Sequence, residues 1–319
     1  MPIVDMPLEK LKVYNGINPR PSDFDEFWDS SLAELDTIDP MVDLKKVDFP
    51  SVIADCYELT FTSTKGARIY AKLAKPKKIE GKIPAVIQFH GLSGSSISWR
   101  SLISFVSQGY CVASMDSRGQ GGYSADVGGV PGSTFSTPFV RGLDGAPGDL
   151  YCRDLFLDTA MIARIIMGFD YVDETRVGVF GGSQGGGLSI ACAALVPEIK
   201  LCAADYPYMS DYKRVWDMDL DKGAYEGLHY YFRHFDPRHE REDEIFTKLG
   251  YIDVQFLAPR IKAKVLMATG LLDTTCPPST QFAMYNKLTC EKQSVIYPDY
   301  GHEALKGHED IVFSFLSEL

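Results

Sequence analysis

Val177-Gly178-Val179-Phe180-Gly181-Gly182-Ser183-Gln184-Gly185-Gly186-Gly187-Leu188 passes from one structural pattern to another within a single short stretch. Val177–Phe180 reads as an apolar strand, and 188–196 carries a helical pattern. Between them stands Gly-x-Ser-x-Gly, residues 181–185. Glycines there permit a sharp turn and a close helix–strand approach, which lifts the serine hydroxyl above the strand ends. The helix start adds backbone N–H groups where negative charge would develop. The motif alone is modest. Placed between a strand and a helix, it points to a nucleophilic serine.

The same strand–helix alternation extends in both directions. Short continuous apolar runs at 83–89, 110–115, 176–180, 200–204, 264–269 and 293–297 are separated by helical patterns near 99–108, 151–168, 184–196, 279–288 and 305–318. Strands too continuous for one-sided burial, joined by helices, predict a parallel sheet. Upstream, 56–62 and 67–75 alternate in period two around Ser63-Thr64-Lys65-Gly66 and read as a β-hairpin. Before them, Phe24, Phe27, Trp28, Leu32 and Leu35 share one helical stripe, with Ser22 as a plausible start. The expected architecture is α/β: a mostly parallel twisted sheet with helices on both faces, in a single domain over 1–319. An N-terminal extension covers 1–50. An aromatic-rich insertion, 206–260, is expected to cap the sheet or form a subunit contact, its rings serving interface packing or sugar stacking. Gly121 to Asp149 holds eight glycines and three prolines and reads as a long functional loop.

Composition narrows the partners. With 32 basic against 43 acidic residues, the net charge of -11 disfavours nucleic acid and anionic membranes, which need a basic face. No apolar run approaches the about 18 residues of a membrane span. The Met1–Met6 start lacks the basic and apolar regions of a signal peptide, so a cytoplasmic protein is expected. Seven scattered cysteines without C-x-x-C spacing are expected as reduced, packed thiols.

A serine hydroxyl needs a base, and the base needs an orienting acid. His302, in Asp299-Tyr300-Gly301-His302 just beyond the last strand, is the expected base. His308, within the following helix, reads as a surface residue. His229, His234 and His239 recur every five residues, a weak metal spacing. For the acid, Asp273 follows the penultimate strand and can face a histidine beyond the final one. Asp205, at the end of the preceding strand, is the alternative, and Asp299 is too near His302 in sequence. The oxyanion donors are expected at the backbone N–H of Gln184 and at that of Leu92, in the His90-Gly91-Leu92 turn after strand 83–89, with His90 bracing the turn. Arg118 and Gln120 lie in a polar turn after strand 110–115. Arg118 should hold loops together through carboxylates, Glu303 being a candidate.

Arg118-Gly119-Gln120, Gly181-x-Ser183-Gln184-Gly185, Gly270-Leu271-Leu272-Asp273 and His302-Glu303, in this order, resemble the acetyl xylan esterase / cephalosporin-C deacetylase family of α/β-hydrolases. The resemblance runs over essentially the whole chain. It implies a serine esterase that removes acetyl groups from small acetylated carbohydrates such as xylo-oligosaccharides and from cephalosporin C, with Ser183 as nucleophile, His302 as base, Asp273 as acid, and no metal or other cofactor. It further implies an intracellular homo-oligomer, a hexamer, that encloses its active sites and excludes polymeric xylan. Leu92 departs from the tyrosine common at that position, which spares the backbone donor but loses any ring contact. Two rivals share parts of the pattern. A serine peptidase of the prolyl-oligopeptidase type would carry a propeller for which there is no room, and a non-catalytic scaffold of this fold has normally lost a triad member.

Overall fold

The computed structural model describes residues 4–128 and 137–319. Nine strands form one sheet: β1 (Asp43–Val47), β2 (Ala54–Thr62), β3 (Arg68–Pro76), β4 (Ile83–Phe89), β5 (Cys111–Met115), β6 (Val172–Gly182), β7 (Leu201–Asp205), β8 (Lys264–Gly270) and β9 (Lys292–Tyr297). Their order is β1-β2-β3-β5-β4-β6-β7-β8-β9. The first three strands and β5 pair antiparallel, whereas β5, β4 and β6 to β9 run parallel. Burial follows this division. β4 and β5 are buried at every residue, while β2 alternates between buried and half-buried positions. That contrast separates strands covered on both faces from a strand with one face near water.

Two apolar layers sandwich the sheet. On one face, helices Trp99–Val106 and His308–Leu316 bring Leu102, Phe105, Val312 and Phe315 against Val86, Val112, Ala203 and Leu266. On the other, helices Tyr151–Met167 and Gln184–Leu195 cover Ile87, Phe89, Val179, Cys202 and Met267. Parity along each strand sends neighbouring residues to opposite layers, as in Val86 and Ile87.

The N-terminal helix spans Phe24–Asp36 and buries Phe24, Trp28 and Leu35. Its N-cap is Asp23, without a side-chain cap, and not Ser22, because the chain turns only after Pro21, whose carbonyl accepts the Phe24 N–H. β1 carries no sequence signal: Asp-Leu-Lys-Lys-Val is almost wholly exposed and is held by pairing with β2 and by the Lys45–Glu58 and Lys46–Asp55 ion pairs. β6 begins before the expected 176 because Val172 already pairs with Ile83, residues 173–176 being bulged out before Val177 meets Ala85.

The insertion is helical, with Tyr212–Asp217, Glu226–Phe235, Glu242–Leu249 and Val254–Leu257. Most of its rings do not await a partner. Tyr208, Tyr212, Tyr225, Tyr231, Phe232 and Phe246 are at most 2% exposed and belong to the main core. The expectation that these aromatics serve a subunit contact or sugar stacking is therefore corrected for these six, which pack within their own chain. The N-terminal extension is sewn to this insertion. Trp28 donates its indole N–H to Tyr251 O at 3.0 Å, and Asp211 accepts from the Ile17 and Asn18 N–H groups and the Tyr14 hydroxyl. Of the glycine-rich loop, 129–136 lie outside the described residues. Around them stand short 3-10 turns at Pro138–Val140 and Pro147–Asp149 and the Asp126–Arg141 pair. Six cysteines are buried and Cys290 is half-buried, all with free thiols.

Candidate active site

β6 ends at Gly182, and Ser183 follows with φ 58° and ψ -120° before helix Gln184–Leu195 begins. A positive φ is strained for a side-chain-bearing residue and persists only where surroundings enforce it. Here the Ser183 N–H donates to Asp205 O at 2.9 Å, and the Ser183 carbonyl accepts from Gly187 and Tyr208, each at 3.0 Å. The glycines leave room for this turn beside β4. A Cβ at Gly185 would stand 2.1 Å from the Phe89 carbonyl oxygen, and one at Gly181 would stand 2.4 Å from it. Neither position can carry a side chain unless β4 and the turn separate.

His302 arrives from the loop after β9. Its Nε2 lies 3.0 Å from Ser183 Oγ, and its Nδ1 lies 2.8 Å from Asp273 Oδ2. Asp273 follows β8, is fully buried, and its other oxygen accepts the Thr275 and Cys276 N–H groups at 2.8 Å each. Three side chains separated by 119 and 29 residues along the chain thus form one continuous hydrogen-bonded line. Asp205, the alternative acid, does not enter it; its carboxylate meets His308 Nε2 at 2.8 Å. His308 is 2% exposed, so the surface reading is corrected. Gly307 in the left-handed region (φ 75°) delays the helix start to 308, which turns that ring inward. Both ring nitrogens of His302 are taken by Ser183 and Asp273, so Asp299 is not its acid.

The turn after β4 passes beside the serine. A Cβ at Gly91 would lie 3.9 Å from Gly182 O. His90 Nε2 accepts the Ser117 N–H at 2.9 Å, which leaves the proton on Nδ1 to donate to Gly91 O at 2.7 Å. Burial holds the His90 ring below the usual imidazole range, so it stays neutral. Gln120 then ties both sides together. Its Oε1 accepts the Ser93 N–H at 2.9 Å, next to Leu92, while its Nε2 donates to Gln184 Oε1 at 2.8 Å and the Gln184 amide returns a bond at 3.0 Å. Both candidate oxyanion donors are therefore braced through one carboxamide.

Arg118 is buried and bidentate on Asp158, at 2.6 and 2.5 Å, with a further bond to Thr64 and with Asp154 at 3.6 Å. Glu303 is not its partner: it is exposed and accepts the Gly301 N–H at 3.0 Å, capping the loop that bears His302. Sequence reasoning missed Arg118's true partners. Asp154 and Asp158 stand four apart on helix Tyr151–Met167, which places them on one face without naming what they meet. It also missed Tyr206, whose ring meets His302 edge-on at 4.9 Å. Burial, with Asp205 and Asp273 nearby, pushes that phenol up to about 12. Cys276, beside the serine, is held well above the usual thiol range by burial and stays neutral. His229 pairs with Asp221, His234 lies against Tyr230 and His239 against Phe232, and no cluster of three metal-ligating side chains occurs among the described residues.

Comparison with known proteins gives four matches. The family described as Acetyl xylan esterase (AXE1) matches residues 1–319. The crystal structure of acetyl xylan esterase 1 from a Thermoanaerobacterium species superposes with a TM-score of 0.97 and 54% identity, covering 98% of this chain and 99% of that one. An acetyl xylan esterase from a Paenibacillus species gives 0.93 and 33%, with the same coverage. The acetyl esterase Axe7A of Xylanibacter ruminicola is 30% identical over 302 residues, 92% of this chain. The chain spans 65% of that relative's length.

Proposed function

The chain belongs to the acetyl xylan esterase family, and from that premise we propose that it is a serine esterase that deacetylates xylan-type carbohydrates through an acyl-enzyme. The observation that carries this reading is the unbroken line from Ser183 Oγ through the His302 ring to Asp273, at 3.0 and 2.8 Å. Ser183 attacks the acetyl carbonyl while its proton passes to His302 Nε2. Asp273 accepts from Nδ1–H, which fixes the tautomer and stabilises the imidazolium that forms. The tetrahedral oxyanion is held by the N–H groups of Gln184 and Leu92, each worth about 10²- to 10³-fold in rate. His302 then returns the proton to the departing sugar oxygen. Water, deprotonated by the same ring, attacks the acetyl-serine; the bond to Ser183 Oγ breaks, His302 gives the proton back to that oxygen, and acetate leaves.

At a finer level, the substrates are short acetylated xylo-oligosaccharides and cephalosporin C, and the enzyme works as a cytoplasmic homo-hexamer. Support for these points is the family likeness alone. One experiment tests the reading: a panel of acetylated xylo-oligosaccharides, cephalosporin C, longer-chain esters and a peptide amide, assayed with wild type and Ser183→Ala while light scattering gives the oligomer. Turnover confined to acetyl esters and abolished in a folded Ser183→Ala variant is expected. Undiminished hydrolysis by that variant would refute the assignment.

A further inference from the structure

We propose that Asp205 and His308 form a positioning pair that sets the approach of His302 to Ser183. The inference rests on the esterase reading above and extends it to two residues outside the reacting line.

Asp205 ends β7, between β6 and β8, and serves both halves of the site. Its main-chain carbonyl holds the Ser183 N–H at 2.9 Å, while its carboxylate reaches His308 Nε2 at 2.8 Å. His308 closes the loop that bears His302. The near end of that loop is pinned to the turn after β8, where Leu271 N–H donates to Tyr297 O and Leu272 N–H donates to Tyr300 O. At Gly270 this approach is so close that a Cβ would stand 2.5 Å from Tyr300 O. The far end is anchored by the buried Leu305 and by His308 on Asp205. His302 lies between the two anchors, with its ring against Tyr206, the residue that follows Asp205.

Packing alone does not account for His308. Its ring is 2% exposed, and among the described residues its Nδ1 is buried without a partner while its Nε2 is hydrogen-bonded to Asp205. Burying an imidazole with an unsatisfied nitrogen is unfavourable, and a leucine would fill the space without that penalty. What the imidazole supplies is a directed bond between the loop of the base and the residue that holds the nucleophile's backbone. A proton relay tolerates little error: a displacement of about 1 Å can lower a rate by about 10²-fold.

The test uses p-nitrophenyl acetate with wild type, His308→Leu, His308→Gln, Asp205→Ala and the His308→Leu/Asp205→Ala double variant. His308→Leu should lower kcat by about tenfold to a hundredfold with KM within about twofold. His308→Gln, which places an N–H donor where Nε2 stood, should recover most of the loss. Asp205→Ala should match His308→Leu, and the double variant should be no worse than either. If His308→Leu fails to fold, the partly exposed Asp205→Ala decides alone. Wild-type kcat in the folded variants, equal losses in His308→Leu and His308→Gln, or losses that multiply in the double variant would overturn the pair. A wild-type protein inert toward acetyl esters would instead remove the esterase reading, and the pair with it.

Discussion

Gln120 does more for the site than its place in a surface-like turn implies. One carboxamide accepts the Ser93 N–H and exchanges bonds with the Gln184 side chain, so the two backbone donors proposed for the oxyanion share a brace. Gln120→Leu keeps the volume and loses every one of these bonds. Losing an oxyanion donor outright costs about 10²- to 10³-fold, and a loosened donor should cost less. The expected result is a fall in kcat of about tenfold, with KM nearly unchanged, read in steady-state hydrolysis of p-nitrophenyl acetate. An unchanged kcat would show that the brace is dispensable. At this same scale, residue types and order were enough to pick out Ser183, Asp273 and His302, the three side chains that converge, because a nucleophile, an acid and a base must stand at strand ends in that chain order. Arg118's partners and the inward turn of His308 were not legible. Both depend on which way a helix faces, and helix periodicity fixes that only when the apolar stripe is one-sided. Helix Tyr151–Met167 is buried nearly all round and offers no such stripe.

Among elements, the parallel strands were the most readable, and β4 spans the expected 83–89 without a shift. Continuous burial writes itself into sequence as a continuous apolar run. β1 shows the reverse case. Its five residues, Asp43–Val47, are nearly all exposed, so pairing with β2 and not burial makes it a strand, and no pattern announces it. The insertion was visible as a break in rhythm and an excess of rings, yet its packing was misread. Aromatic residues signal that apolar area will be covered, without saying by what. Here the cover is the N-terminal extension and the core beneath, through contacts such as Phe24 with Phe256 and Phe139 with Tyr212.

For the whole molecule, the junction of extension and insertion carries a pH signature. Asp253 is fully buried, accepts N–H bonds from Asp211 and Gln255, and has its carboxyl pushed up to about 8 by burial and then by the charge of Asp211. Burial likewise raises Asp211, while the nearby Lys287 amine is lowered by burial. In the unfolded chain an aspartate releases its proton near pH 4, at about 3.9. The folded protein holds this proton longer, so between about pH 4 and pH 8 unfolding sheds it and stability falls as pH rises. Asp253→Asn abolishes that term. Thermal unfolding of wild type and variant at pH 5 and pH 8 should show the melting-temperature difference moving in the variant's favour at the higher pH, whatever offset the lost bonds introduce. A difference that is the same at both pH values would mean that Asp253 does not hold its proton.

The account as a whole turns on a covalent acetyl-serine at the end of β6. Acid-quenching the full-length protein during the first turnovers of p-nitrophenyl acetate, then mapping peptides by mass spectrometry, reads that species directly. The prediction is one acetyl group on Ser183, absent from Ser183→Ala and slow to form in His302→Ala. Acetyl on a different residue, or brisk turnover with no acylated peptide at any time, would contradict it.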